Sequence, residues 1–392
     1  MKTRHFSLLI SFFLLGSQVV NSQSKVSNLL VFDFSKDYPQ KKMRLEDMAD
    51  IEYVLLETTD DILLGGMATL SAVTDKYILI HEPQLGDIFV FNRNTGKLYS
   101  HFNHKGQSAQ EYLWINNTIL DDKKDEIYVC SQFIQIYSLK GNYKRTLKIK
   151  GFGNNIQILN YDDTSLLIYD KVIIEPGHEN KTKKAPYRLM SKKDGSLISI
   201  LSLEFSKRYS NKIVKHEGNM WRPITFIYPQ NMHYGSDIII ADISSDTLYQ
   251  LSPNKGLIPL LTRTPSIHTH EPRNIWTPFL TTDKFMLIGT FLLDFNSTGG
   301  KIPTFIYDFK TGEINKASIW DTEYETKSWR QGRWGGPNGT PAIAKNMAAE
   351  LIQASSVIDA YKGKRLKGNG EKVAKKLLED DNPVVRILKF KQ

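Results

Sequence analysis

Along this chain the apolar residues come in short runs bounded by turn residues, and the runs pair off. Residues 77–80 (Tyr-Ile-Leu-Ile) and 88–91 (Ile-Phe-Val-Phe) lead into a turn that ends at Gly96, and residues 127–130 and 134–137 lead into one that ends at Gly141. Runs this short, rich in β-branched and aromatic residues and closed by Asn and Gly, read as strands joined in hairpins. The unit returns at 166–169 with 187–190, at 237–241 with 247–251 and at 285–290 with 304–309, followed by Gly195, Gly256 and Gly312. From Gly96 onward these glycines are 45, 54, 61 and 56 residues apart. A repeat of that length, made of short strands with no helix between them, predicts propeller blades rather than a solenoid of helices.

A lone blade cannot bury both faces of its sheet, so neighbours must pack against it and the ring must close. Five hairpins are countable, and the sixth blade is expected to be composite, built from residues 51–56 and the closing strand 384–390. The predicted fold is all-β: a six-bladed β-propeller of four-stranded antiparallel blades, forming a single domain over residues 23–392. Helix is expected only as an insertion at 340–380. Thr340 can cap, Pro341 suits the first helical position, and Ile343, Met347, Leu351, Ala354, Ile358 and Tyr361 lie on one helical face. A second short helix is expected from about 371 to 379 and stops at Asp381-Asn-Pro383.

The first residues break this pattern. Met1-Lys-Thr-Arg4 is basic, residues 6–15 are almost wholly apolar, and small residues follow, which is the order of a secretory signal peptide over 1–22. The apolar run is too short to span a bilayer comfortably, no second one follows, and no cysteine stands where a lipoprotein would need it. The expected location is periplasmic or extracellular, for a monomer with no transmembrane segment. Cys130 is the single cysteine, so no internal disulfide can form, and it ends a predicted strand where a small buried residue fits. The formal charge is +9, and removing Lys2 and Arg4 leaves +7. The last 48 residues carry 11 Lys/Arg against 6 Asp/Glu, which suits either a solvated helix face or an acidic partner surface. No nucleic-acid-binding motif accompanies it.

Three segments together carry a family resemblance: Ile51-Glu-Tyr-Val-Leu-Leu-Glu-Thr58, Gly106-Gln-Ser-Ala-Gln-Glu-Tyr112, and Glu379-Asp-Asp-Asn-Pro-Val384 before a basic strand. The chain resembles the six-bladed β-propeller family of secreted Bacteroidetes proteins, which is similar in architecture to NHL and TolB-like propellers. In that family the middle segment usually reads Gly-x-Gly-Pro-Gly-Glu-Tyr; here Ser108-Ala-Gln110 replaces its core while Gly106, Gln107, Glu111 and Tyr112 are retained. The resemblance implies a fold and a compartment, with no reaction attached.

Candidate chemistry is sparse. His101 and His104, with Gln107 and Glu111 nearby, form one polar group, and His268 and His270 another; His with carboxylate would suit zinc, or carboxylates calcium, if ligands from several blades converged. Ordinary loop histidines explain the same residues. Trp329, Arg330, Arg333 and Trp334 could stack on a sugar ring and hold a carboxylate or sulfate; the alternative is that both tryptophans plug the gap between a blade and the terminal helix. Glu111 reads either as half of a carboxylate pair with Glu57 or as an acceptor for backbone N–H groups that fixes the crossover between blades. No Gly-x-Ser-x-Gly elbow, His-Glu-x-x-His pair or phosphate loop is present. The leading expectation is a binding module, with no cofactor, for a glycan, peptide or envelope protein. The alternative is a metal-assisted lyase or hydrolase at the central channel.

Overall fold

The computed structural model describes residues 29–148, 156–171, 185–205, 207–210, 212–218, 220–225, 230–294, 302–326, 329 and 342–392. The chain opens with β1 (Val31–Asp33), β2 (Gln40–Arg44), the short helix α1 (Leu45–Met48) and β3 (Ala49–Val54). Four-stranded blades then follow in order. Blade 1 is β4 (Thr69–Val73), β5 (Tyr77–His81), β6 (Asp87–Asn92) and β7 (Leu98–Asn103). Blade 2 is β8 (Asn117–Asp121), β9 (Glu126–Cys130), β10 (Ile134–Tyr137) and β11 (Tyr143–Leu147). Blade 3 is β12 (Ile156–Asn160), β13 (Ser165–Asp170), β14 (Tyr187–Ser191) and β15 (Leu197–Ile200). After it a separate hairpin, β16 (Lys212–Glu217) with β17 (Met220–Thr225), stands outside the blade sheets.

Blade 4 is β18 (Asn231–Tyr234), β19 (Asp237–Ile240), β20 (Thr247–Ser252) and β21 (Gly256–Thr264), and blade 5 is β22 (Asn274–Thr281), β23 (Phe285–Leu292), β24 (Thr304–Asp308) and β25 (Ile314–Trp320). The second and third strands of these five blades fall where the apolar runs predict. All five hairpin glycines lie at positive φ, between 68° and 83°. At Gly96 this is a requirement: an added Cβ would sit 1.7 Å from the Leu55 carbonyl oxygen of blade 6.

Blade 6 is composite, as expected, but has a strand the periodicity assigned to helix. Its sheet runs β26 (Met347–Ile352), β27 (Val384–Phe390), β3, so the C-terminal strand lies between an internal strand and an N-terminal one. The predicted helix begins only at α2 (Ala354–Lys362), and α3 (Gly368–Ala374) follows. The miss has a simple cause. A spacing of four, Met347 to Leu351, is also a multiple of two, and so equally describes one face of a strand. Met347, Ala349 and Leu351 pack toward blade 1, while Ala348 packs toward blade 5.

The N-terminal segment contributes more than the sequence suggested. β1 adds to β21 and β2 to β25, both in parallel, giving blades 4 and 5 a fifth strand. Each pair of successive blades has its own apolar core, and the one formed by Val54, Val385 and Ile387 with Leu70, Ile78 and Phe91 joins blade 6 to blade 1. Alternating strand direction then sorts the connections. Between the described strands, one end of the ring has turns of five residues or fewer, such as 74–76, 93–97, 235–236 and 309–313, and Lys345 and Asn346 just before β26 also reach it, beside Tyr234 and Asp283. From the other end the longer connections leave their strands: the blade crossovers, the one that carries the β16–β17 hairpin among them, and the α2–α3 insertion. Chemistry that needs variable loops therefore has only one end available.

Candidate binding face

The crossover from blade 1 to blade 2 shows how this face is built. Gly106 N–H donates to the Tyr112 carbonyl at 3.0 Å, and Tyr112 N–H to the His104 carbonyl at 3.2 Å, which closes the loop. The Tyr112 hydroxyl, buried between the blades, accepts from His104 N–H at 2.9 Å and donates to the Gly86 carbonyl at 2.7 Å. Glu111 accepts the Ser108 N–H at 2.8 Å, and that bond holds its carboxyl below the ordinary range. A Cβ on Gly106 would fall 2.0 Å from the Glu111 carboxylate oxygen. The motif is thus a folded strap that sets the step between blades. Glu57 has a similar duty at the blade 6 to blade 1 step, accepting Leu98 N–H at 2.8 Å.

The histidines are not gathered. His101 pairs with Asp87 at 2.8 Å and stacks on Phe89; His104 bonds the Gly141 carbonyl at 2.8 Å and stacks on Tyr137. His268 lies between blades 4 and 5, 3.2 Å from the Tyr209 hydroxyl, while His270 is exposed beyond it. Among the described residues no three His, Cys, Asp or Glu side chains come together as a metal site. Trp329 is buried at 4% exposure against Phe390, with its indole N–H 3.5 Å from Glu350. It plugs the seam between blades 5 and 6 and offers no ring face to a ligand. Arg330, Arg333 and Trp334 lie outside the described residues.

Three polar groups at this end carry no motif in the sequence. At blades 1 and 2, Thr118 donates to Ser71 at 2.7 Å and Ser71 lies 2.7 Å from His81 Nδ1. The pair resembles a nucleophile and base, but burial pushes His81 down to about 3, which leaves it a poor proton acceptor. Ser71 sits where β4 bulges, and its carbonyl accepts the Ala342 N–H at 2.9 Å, so the group ties blades together. At blades 3 and 4 the Arg208 guanidinium is buried, donating to the Asp170 carbonyl at 2.9 Å, with Asp242 at 3.6 Å and the stacked Tyr169–Tyr187 pair beside it. At blades 5 and 6 the Arg386 guanidinium meets Asp321 at 2.6 Å, Glu323 at 2.7 Å and Glu350 at 3.1 Å. Burial raises both Glu323 and Glu350. Cys130 is buried and its thiol is pushed up by desolvation, which suits a core residue rather than a nucleophile.

A further residue that the sequence reading passed over is Asn382. Its side chain accepts Leu64 N–H at 2.7 Å and donates to the Glu57 and Ile62 carbonyls at 2.9 and 2.7 Å, and it is 2% exposed. It pins the start of β27 to the crossover that leads from β3 into blade 1. The only sequence signal was its place in the Asp-Asn-Pro segment.

The geometry is shared with solved proteins at low identity. A protein of Bacteroides fragilis NCTC 9343 described as exported superposes with a TM-score of 0.61 at 12% identity, covering 90% of this chain and 99% of that one. A member of the DUF4221 family from Bacteroides vulgatus matches with a TM-score of 0.46 at 9% identity, covering 88% and 97%. At 12% identity the first of these likenesses shows the fold alone. No helix among the described residues is long and apolar enough to cross a membrane. Among curated proteins none matches. The family model described as a domain of unknown function, DUF4934, matches residues 29–389, and the chain belongs to that family.

Proposed function

We propose that this protein is a periplasmic or extracellular binding module of the secreted Bacteroidetes propeller type, and that its ligand, a glycan, peptide or envelope protein, docks on the end that carries the long connections. One observation supports this reading above the others: among the described strands, the connections longer than five residues leave at that end, and the strands are joined by tight turns at the opposite one. Recognition then comes from loops of several blades held on a rigid scaffold, with no bond broken. Arg330, Arg333 and Trp334 are the proposed contacts, carried on the connection that the buried Trp329 anchors to the blade 5–6 seam.

The test is a paired comparison on glycan and peptide arrays and in pull-down from envelope extract. R330A/R333A is expected to lose binding at least tenfold. A variant of the short-turn end, K310E, is expected to bind as the wild type does. If K310E alone lost binding, the ligand face would be misassigned; if neither variant changed it, the arginine contacts would be wrong.

A further inference from the structure

The seam where the ring closes holds an imbalance of charge. Around Arg386, which is 0% exposed, stand three carboxylates from two segments: Asp321 and Glu323 from the loop after β25, and Glu350 from β26. Asp321 takes both guanidinium nitrogens, at 2.6 and 3.1 Å, so one acid is matched by the one cation. The other two are not. Among the described residues, the elements packed around them bring no second full cation into the cluster. β3 contributes the Tyr53 hydroxyl, 2.6 Å from Glu323, and the loop contributes the Tyr324 hydroxyl, 3.0 Å from that of Tyr53. Trp329 contributes an indole N–H. Between α2 and α3, Arg365 gives its Nε–H to the Glu323 backbone carbonyl at 3.1 Å and turns its Nη1 to Glu325 at 3.3 Å. Glu46 lies beyond, on Thr322, and Lys389 is engaged by Glu52 at 2.6 Å.

Glu323, buried, and Glu350, partly exposed, share with Asp321 the single charge of Arg386, so keeping all three ionised is costly and taking up a proton is the ordinary remedy. We propose that the ring is closed by a proton-dependent clasp: at least one proton is retained by Glu323 and Glu350 around Arg386 in the native state, and its loss at higher pH loosens β27 and the α2–α3 cap. The direction of the shifts on both glutamates agrees, since burial raises each. The sign follows from linkage. In the unfolded chain a glutamate titrates near about 4.3. Between that value and the raised native one, the folded state binds the extra proton, so the contribution is full below about 4.3, declines as pH rises between the two and is lost once pH has passed the native value. The position gives this consequence. Arg386 lies on the C-terminal strand, Tyr53 on the N-terminal one, and Arg365 in the helical cap on the long-loop end, so one proton bears on all three.

E350Q and E323Q each keep the shape of a protonated acid. In urea unfolding from pH 5 to 9, the wild-type unfolding constant is expected to grow relative to that of at least one of them by up to about tenfold per pH unit. Hydrogen exchange of β27 and α2–α3 amides should show the same divergence after correction for intrinsic rates. If both variants track the wild type at every pH, the clasp does not exist. Should neither variant fold, infrared titration of the wild type decides. A protonated carboxyl band at pH 7 that disappears at higher pH supports the proposal, and its absence at pH 7 overturns it.

Discussion

Asn382→Ala is the sharpest test of how the ring is latched. The side chain serves three partly buried backbone groups, the Leu64 N–H and the Glu57 and Ile62 carbonyls, at 2.7, 2.9 and 2.7 Å. Alanine leaves all three without a partner, whereas the backbone contact from Asn382 N–H to the Thr58 hydroxyl at 3.0 Å survives. Each stranded buried group costs about 1–3 kcal/mol, and partial access of water through the emptied volume lowers the sum, so the expected loss is about 3–4 kcal/mol. The assay is equilibrium urea unfolding at neutral pH, read as a shift in midpoint at constant slope. Asn382→Asp is the informative partner. It keeps an acceptor for Leu64 but turns a carboxylate oxygen toward two carbonyls, and is expected to destabilise at least as much as alanine. A loss below about 1 kcal/mol for alanine, or an aspartate variant as stable as the wild type, would refute the latch.

Two more predictions follow from local geometry. Gly96→Ala must both hold φ near 68° and relieve a 1.7 Å approach to the Leu55 carbonyl, whereas Gly312→Ala at φ 72° meets nothing within 4 Å. The first is expected to lose more than about 2 kcal/mol and the second about 1, by thermal or urea unfolding; equal losses would deny the interblade contact. His81 is held near 3 by burial, so it binds no proton in the native state at pH 5, while an unfolded histidine titrates near about 6.5. Its contribution to stability is full above that value and falls as pH drops toward 3, by up to about tenfold in the unfolding constant per pH unit. Ring nitrogen shifts in NMR should show His81 neutral at pH 5, and a midpoint near about 6.5 would contradict its burial.

The clasp and His81 act in opposite directions. Protonated acids at the blade 5–6 seam favour lower pH, and a neutral buried histidine at blades 1 and 2 favours higher pH. The two slopes oppose each other between the unfolded values of about 4.3 and about 6.5, so stability is expected to be flattest there, with each limb removable by its own substitution.

What the sequence by itself determined is what the chain does over a few residues. Strand runs such as 77–80 and 134–137, the turn glycines, the composite sixth blade and the closing strand at 384–390 were all legible, because a short apolar run, β-branching and a turn glycine are local properties. The strap at Gly106 and Tyr112 was legible as a joint between blades for the same reason. The tertiary structure decided the rest. β1 and β2 are short segments flanked by polar residues, and it is pairing with the edges of β21 and β25, more than 200 residues away, that makes them strands. The period of the segment before α2 fitted strand and helix alike until β27 was there to pair with it. Asn382 and Arg386 find their partners 36 to 325 residues away, and the histidines that looked adjacent each settled on a different neighbour. Composition and spacing do not encode such distances; the closing of the ring does.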